Sequence, residues 1–454
     1  MSNGYLSAVK SVLAALCLAA LPVETAAFDI PAENASDSAF LLLQNGYAKQ
    51  AVELAEAIVL RDSDDIRGYI VLSQARRALG DFDRAIEAGK TAWQKAKKDE
   101  SRFAAALVTA QAYSSADKRT RSMLWLRRAA EIAPDEARKA QALRDFRYVR
   151  GRNPLATTLS FSVQPSSNVN NGSKSDTLII DGLPFAISGD ARALSGVEYS
   201  LGGQTAFTKR LDPRRLIRIG GRFETKHYTL SSEAKEMAPN IDASDLSYTE
   251  IELTFGHTWL KGPGNSITDL SFDLGRTWYG GQELSKYFRT TLQHRQKLTK
   301  SITGVYSLSG TRQLRDDSSV RNSTEITGRA NWVHVRPSGS VLGWSLGVRD
   351  TQSDAATISH DAFMVGASVQ PKVEIFGTRS VFQLDLEKRF YDKSLYGTLR
   401  EDDRVRAGVT VIMNRFDYYG FAPTLNMSYS RTQSNISLYD TDDIGVSLGI
   451  KSTF

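Results

Sequence analysis

The chain is nearly without cysteine: its 454 residues hold one, Cys17. No disulfide can close within a single chain, and no thiolate metal site is available. Long apolar runs are equally scarce. Beyond residues 1–30 no segment offers the roughly 20 apolar residues that a membrane-spanning helix needs, and the mean hydropathy is -0.31. That average does not exclude a barrel, in which only every second strand residue meets lipid. The five histidines, His227, His257, His294, His334 and His360, form no pair at metal-ligand spacing. Gly-x-Ser-x-Gly occurs at 343–347 and 445–449, but inside alternating strand-like segments and not at the strand-to-helix turn that makes a nucleophile elbow, and a phosphate-binding loop is missing. No residue is thus a candidate for catalysis, a cofactor or a metal. Charge of one sign is not concentrated either. Lys and Arg number 57 against 51 Asp and Glu, and no block of the net +6 resembles a nucleic-acid tail.

What is present begins with a secretory signal over residues 1–27. Lys10 ends a weakly basic start, 11–21 is apolar, and Thr25-Ala26-Ala27 places small residues before a cleavage site at Phe28. Leu16 precedes Cys17 where a lipidation site requires a small residue, so Cys17 is not read as an anchor. Cleavage leaves a thiol-free mature chain, suited to crossing the periplasm.

Residues 36–150 have helical periodicity and are rich in Ala, Leu, Arg and Glu. Gly46 through Val52 aligns with Gly80 through Ile86 at a 34-residue offset, the spacing of tetratricopeptide repeats. Gly46 and Gly80 are expected in the tight turns between paired helices. Ala51 and Ala85 are the small residues that let a neighbouring helix approach, and Phe82 is a packing position. A degenerate third unit runs from Phe103 to Ala129. Its turn, 114–120, lacks glycine and reads as longer, and a cap covers 135–149. The concave face of such an array holds extended peptides; alternatively the array is a spacer.

After Pro154 the period changes to two. Ile251, Leu253 and Phe255 alternate with Glu252, Thr254 and Gly256; Phe382, Leu384 and Leu386 alternate with Gln383, Asp385 and Glu387. Ile444, Val446, Leu448 and Ile450 alternate with small or polar residues, and the chain ends at Phe454, the terminal aromatic of a barrel-assembly signal. The pattern predicts fourteen strands over 155–454, an even number as bacterial barrels require. Links alternate short and long. The short ones (209–213, 261–265, 297–299, 336–339) read as periplasmic turns, and the longer polar ones (165–193, 231–245, 313–320, 392–401, 432–441) as outside loops. Trp259, Trp278, Tyr279, Trp332, Tyr391, Tyr418 and Tyr419 fit interfacial girdles. Glu250, Glu252, Asp269, Asp273, Asp385, Glu387, Arg389, Arg404 and Arg406 are expected in the lumen, where charges of opposite sign pair and brace the wall. The fold expected is two-domain α + β: a tetratricopeptide-like solenoid in the periplasm, then a 14-stranded antiparallel transmembrane barrel in the outer membrane.

Two segments carry a resemblance. Ser167-Asn168-Val169-Asn170-Asn171 and Ser434-Asn435-Ile436-Ser437-Leu438-Tyr439, together with the order signal, repeats, barrel, resemble the surface lipoprotein assembly modifier (Slam) family. The resemblance implies an outer-membrane factor that is not an enzyme. It would move a lipoprotein or secreted protein client to the cell surface, surrounded by outer-membrane lipid and inserted by the barrel-assembly machinery. It implies no nucleic-acid partner. Asn168, Asn170, Asn171, Ser434, Asn435, Ile436 and Tyr439 would belong to the path or gate, or else shape outer loops through the turn chemistry of Asn. Exopolysaccharide export and a passive porin with an accessory repeat domain are the alternatives.

Overall fold

Residues 34–180, 182–262, 266–416, 418–419 and 421–452 are described by the computed structural model. The expected signal and Phe454 lie outside the described residues. The chain divides into two compact units, the first ending at Lys118 and the second beginning at Arg119.

The first unit contains helices α1 (Ala35–Gln44), α2 (Ala48–Arg61), α3 (Ile66–Ala78), α4 (Phe82–Lys95) and α5 (Asp99–Ser115). Asp65 caps α3 by accepting from the Gly68 amide at 2.8 Å. Gly46 and Gly80 take φ of +86° and +82°, a region glycine enters without steric cost. Around each, the next amide bonds back into the preceding turn: Tyr47 to Leu42 and Asp81 to Arg76. Such a bond satisfies a carbonyl left free at the helix end. The turn after α5 does the same without glycine. Asp117 takes φ of +57°, and the Lys118 amide bonds to Tyr113. It has the length of the other two, so the expected longer turn is corrected; Asp tolerates the left-handed conformation well enough to replace glycine. Ala51, Ala55, Ala75, Ala85 and Ala92 are fully buried, and the Ser73 hydroxyl donates to the Ala85 carbonyl at 2.7 Å. Alanine at these buried positions lets α2, α3 and α4 approach closely.

The second unit opens with α6 (Arg119–Glu131) and α7 (Glu136–Arg152). β1 (Leu155–Ser166) follows, then a small hairpin of β2 (Thr177–Ile180) and β3 (Leu183–Ala186). Next come β4 (Gly196–Asp212), β5 (Arg215–Leu230), the short α8 (Ser232–Met237), β6 (Tyr248–Lys261), β7 (Ser266–Tyr279), β8 (Gln282–Lys297) and β9 (Ile302–Arg315). β10 (Ser323–Val335), β11 (Val341–Ser353), β12 (His360–Gln370), β13 (Arg379–Leu395), β14 (Thr398–Ile412), β15 (Phe421–Ser434) and β16 (Thr441–Ser452) complete the chain. Fourteen of these strands, β1 and β4–β16, form one closed antiparallel barrel in which each pairs with its sequence neighbour and β1 meets β16.

Alternation decides what faces where. Ile251, Leu253 and Phe255 are 49%, 54% and 46% exposed although large and apolar, and form part of an outward band. No helix among the described residues is long and apolar enough to span a membrane; the strands do it. Trp259 stacks on His257 with centroids 4.2 Å apart, and Trp332 meets Tyr306 edge-on at 6.3 Å. Both pairs lie at the end of the barrel where α7 enters, consistent with an aromatic girdle. Tyr391 is an exception to the expected girdle. It turns into the lumen, 5% exposed, with its hydroxyl 3.3 Å from Asp402.

Two strand boundaries differ from expectation. Segment 392–401 was expected as a long loop, but β13 and β14 continue through it to a two-residue turn. Tyr396 and Gly397 both adopt positive φ there, the requirement of a tight hairpin. The β2–β3 hairpin arises inside the long link 167–195, where no strand was expected.

Candidate functional site

The lumen wall is the first candidate. β6 and β7 carry Glu250, Glu252, Asp269 and Asp273 on their inner face. Arg222 from β5 reaches Glu250 at 2.8 Å and Glu252 at 3.6 Å, and Arg218 reaches Asp269 at 3.0 Å. Tyr287 of β8 places its hydroxyl 2.5 Å from Glu250 and 2.6 Å from Glu252. Thr254 donates to Asp273 at 2.7 Å. Half the ring away, β13 carries Glu387, whose side chain is 3% exposed. Arg389, Arg349 and Arg406 converge on it at 2.8, 3.3 and 3.4 Å. Gln383 donates to Asp385 at 2.7 Å. Arg404 also faces inward, and its Nε has no partner among the described residues. All nine expected lumen residues therefore sit on the inner face. Acids line the inner face of β6 and β7 with arginines of β5 and β8 paired to them, and guanidinium groups gather around Glu387 on the wall opposite. A polar cavity of about 380 Å³ lies against the first wall, lined in part by Thr158, Gln204, Arg222, Glu252 and Asp273. Sequence reasoning did not single out Arg222, Arg349 and Tyr287; their inward alternation was the available signal.

The second candidate is where the two family-like segments meet, at the barrel end far from α7. Asn168 is 5% exposed. Its amide donates to the Gly172 carbonyl at 2.9 Å and accepts from the Gly172 amide at 2.8 Å. Asn170 donates to Arg192 at 2.7 Å and accepts from Leu194 at 2.9 Å. Asn171 takes φ of +53°. Asn435 behaves as an extra strand residue: its side chain accepts from the Glu401 amide at 2.8 Å and donates to the Leu399 carbonyl at 2.8 Å, extending β14. Ser434 accepts from the Ile436 amide at 3.2 Å, and Ile436 is buried. Tyr439 lies under the Arg400 guanidinium, 3.4 Å from ring centre, and burial raises its phenol above the ordinary value.

These loops lace β1 to β16. Ser166 donates to Asp443 at 2.7 Å, the Ser167 hydroxyl accepts from the Ile444 amide at 3.0 Å, and the Lys174 amide donates to Asp440 at 2.6 Å. Ser173 and Ser437 exchange side-chain bonds with the opposing loop: Ser173 to the Ser437 carbonyl at 2.9 Å, Ser437 to the Thr177 carbonyl at 2.8 Å. Beneath, Val169, Leu194, Leu230, Ala234, Ala238 and Leu246 form a small apolar core that steadies the loops.

At the other end α6 grips the turn between β14 and β15. Arg127 donates to the Tyr419 carbonyl at 2.7 Å and stacks on Phe421 at 4.4 Å; Glu131 accepts the Tyr419 amide at 2.9 Å. Tyr419, expected in a girdle, receives this helix through its backbone amide and carbonyl. In the first unit a cavity of about 590 Å³ opens over α2, α3 and α4, lined by Glu56, Leu60, Tyr69, Arg76, Arg84 and Glu87 among others. Its mixed apolar and charged lining suits an extended peptide. Among the described residues no three His, Cys, Asp or Glu side chains gather so as to hold a metal.

Comparison with known proteins adds three findings. A family model described as "Surface lipoprotein assembly modifier" matches residues 157–454. No curated protein matches. Solved helical-repeat structures are similar over the N-terminal helices. The Yersinia enterocolitica type III secretion translocator chaperone SycD is 18% identical, covering 26% of this chain and 83% of its own at a TM-score of 0.24. The TPR2B domain of yeast Sti1, in a complex with an Hsp70 peptide, is 18% identical, covering 27% and 98% at 0.25. The first TPR domain of human RPAP3 is 15% identical, covering 27% and 93% at 0.24.

Proposed function

This chain belongs to the surface lipoprotein assembly modifier family, and on that premise we propose that it carries a lipoprotein, or a related secreted protein, from the periplasm to the cell surface. Its barrel is an outer-membrane barrel, and its role is in surface lipoprotein assembly. The observation that carries the reading is the family match, which spans all of the barrel except its first two residues.

The helical repeats lie in the periplasm, because α7 runs directly into β1 and a short turn separates most strands at that end. They hold the client in an unfolded state, with the groove over α2–α4 supplying both apolar and charged contacts. The barrel-assembly machinery inserts the chain, and lipid surrounds the outward band. No nucleotide is available in the periplasm, so folding of the client outside supplies direction. The paired charges of the lumen wall favour this over a passive porin: Glu387 is closed off by three guanidinium groups.

The test is deletion of the gene followed by external protease treatment of whole cells, with every lipoprotein quantified. Protection of one or a few lipoproteins in the deletion strain, reversed by the restored gene, is expected. Unchanged exposure of all of them, with loss of a secreted glycan, would overturn the reading in favour of polysaccharide export.

A further inference from the structure

The join between β1 and β16 is unlike every other join in the barrel. β1 pairs with β4 along its whole length, from Leu155–Phe207 to Ser166–Gly196. Toward β16 it is registered only at Ser162–Gly449, Val163–Leu448 and Ser166–Gly445. Among the described residues, Leu159, Ser160 and Phe161 stand opposite Ser452, Lys451 and Ile450 without being registered to them, as do Gln164 and Pro165 opposite Ser447 and Val446. Backbone groups without a partner are unfavourable in hydrocarbon, and a closed barrel exists to remove such an edge. β1 also carries Pro165, a residue that sheets tolerate on edge strands because it has no amide to donate. The unregistered positions lie on both sides of Ser162 and Val163. The far end is laced by the Ser166, Ser167, Asn168, Ser173 and Lys174 contacts with 437–444.

The end away from that lacing is the end the helices attend. α7 leads into β1, and α6 is fixed to the β14–β15 turn through Arg127 and Glu131. The helix pair therefore links the two sides of the β1–β16 join, with only β15 and β16 between its attachments.

We infer that this join is a lateral opening. β1 and β16 part from the helix end while the loop clasp at the far end holds, and the freed edge of β1 takes an extended segment of the polypeptide client as a temporary strand. Strand addition to an exposed edge binds by main-chain hydrogen bonds and tolerates many sequences. An opening onto the bilayer also allows a client's acyl chains to stay in lipid while its polypeptide uses the lumen. The inference rests on the proposed delivery function for the client, but the opening itself does not.

The test uses the full chain in a Cys17→Ser background. Val163→Cys with Leu448→Cys places two thiols directly opposite across the join; Val409→Cys with Met427→Cys does the same across the fully paired β14–β15 join. Directly opposed antiparallel residues are within disulfide reach. With spin labels on the purified protein in lipid vesicles, the first pair should give a short and a longer separation, and the control pair a single short one. Equal, single separations at both would overturn the inference. In cells, oxidising the first pair should reduce surface exposure of the lipoproteins identified by the deletion strain about tenfold, with reductant restoring it and the control pair without effect. Normal delivery with the join locked, or equal loss with either pair locked, would overturn it. If the deletion strain shows no affected lipoprotein while the labels still report two separations, the delivery reading fails and the opening stands.

Discussion

Single residues in this molecule are held by charge pairing in unequal surroundings. Glu387 is the shared partner of three guanidinium groups inside the barrel. Removing one partner of a buried ion cluster costs about 3–5 kcal/mol, since the remaining charges stay desolvated. Glu387→Gln is therefore expected to lower the temperature at which the detergent-solubilised barrel loses its heat-resistant gel mobility; an unchanged temperature would show the cluster to be hydrated. Asp317, in the loop after β9, behaves differently. Hydrogen bonds from Arg315, and a further one from Arg321, hold its carboxyl well below the ordinary value. A carboxyl depressed in the folded state contributes stability that is present above its unfolded value, about 4, and is lost as pH falls from there through the folded value. Hydrogen-exchange protection in loop 316–322, relative to the intrinsic rate at each pH, should fall over that acidic range in the natural chain, while Asp317→Asn should lack that protection at every pH. Gly80 is a purely conformational case. A Cβ there meets nothing within 4 Å, but φ is +82°, so Gly80→Ala should cost about 1 kcal/mol by thermal unfolding of the helices. Asp117→Gly, relieving the same strain at the third turn, should not destabilise.

Strands and helices declare themselves to different degrees. Outward and inward positions on β6 are neighbours in sequence and opposites in solvent. Leu253→Arg should cost about 2–4 kcal/mol in a lipid-embedded unfolding assay if the residue sits near the bilayer centre, whereas Thr254→Arg should cost far less; equal effects would mean the alternation has been assigned to the wrong faces. All fourteen barrel strands were legible because period-two alternation and turn residues are local signals. The 392–401 hairpin was not, since Tyr396 gives no hint that it accepts positive φ. Nor was the β2–β3 hairpin, whose Ile179, Leu183 and Phe185 read as isolated apolar residues in a polar link. The lumen acids and bases were legible by their alternation, but not which of them pair: Glu252 with Arg222 and Arg289 joins strands whose register the sequence leaves open. The loop asparagines were legible as turn formers, while their role in joining 167–174 to 437–444 depends on closing the ring.

At the scale of the whole molecule the chain's first and last barrel strands are brought side by side, and everything distinctive gathers around them: the clasp loops at one end, the helix pair at the other. Arg127→Ala removes a hydrogen bond and two ring contacts. It should speed hydrogen exchange across α6 about tenfold in the intact protein, the equivalent of about 1.4 kcal/mol, while leaving the barrel's own protection unchanged.

The grip of α6 on Tyr419 has a temporal side. Arg127 and its acceptor are 292 residues apart, so during synthesis the helix is finished long before its docking turn has been made, and in the membrane it has nowhere to settle until the penultimate strand has arrived. A half-built barrel must therefore carry its helices undocked. Their attachment marks the arrival of β15, and a protease that cuts α6 only while it is undocked would tell molecules that have reached that stage from those that have not.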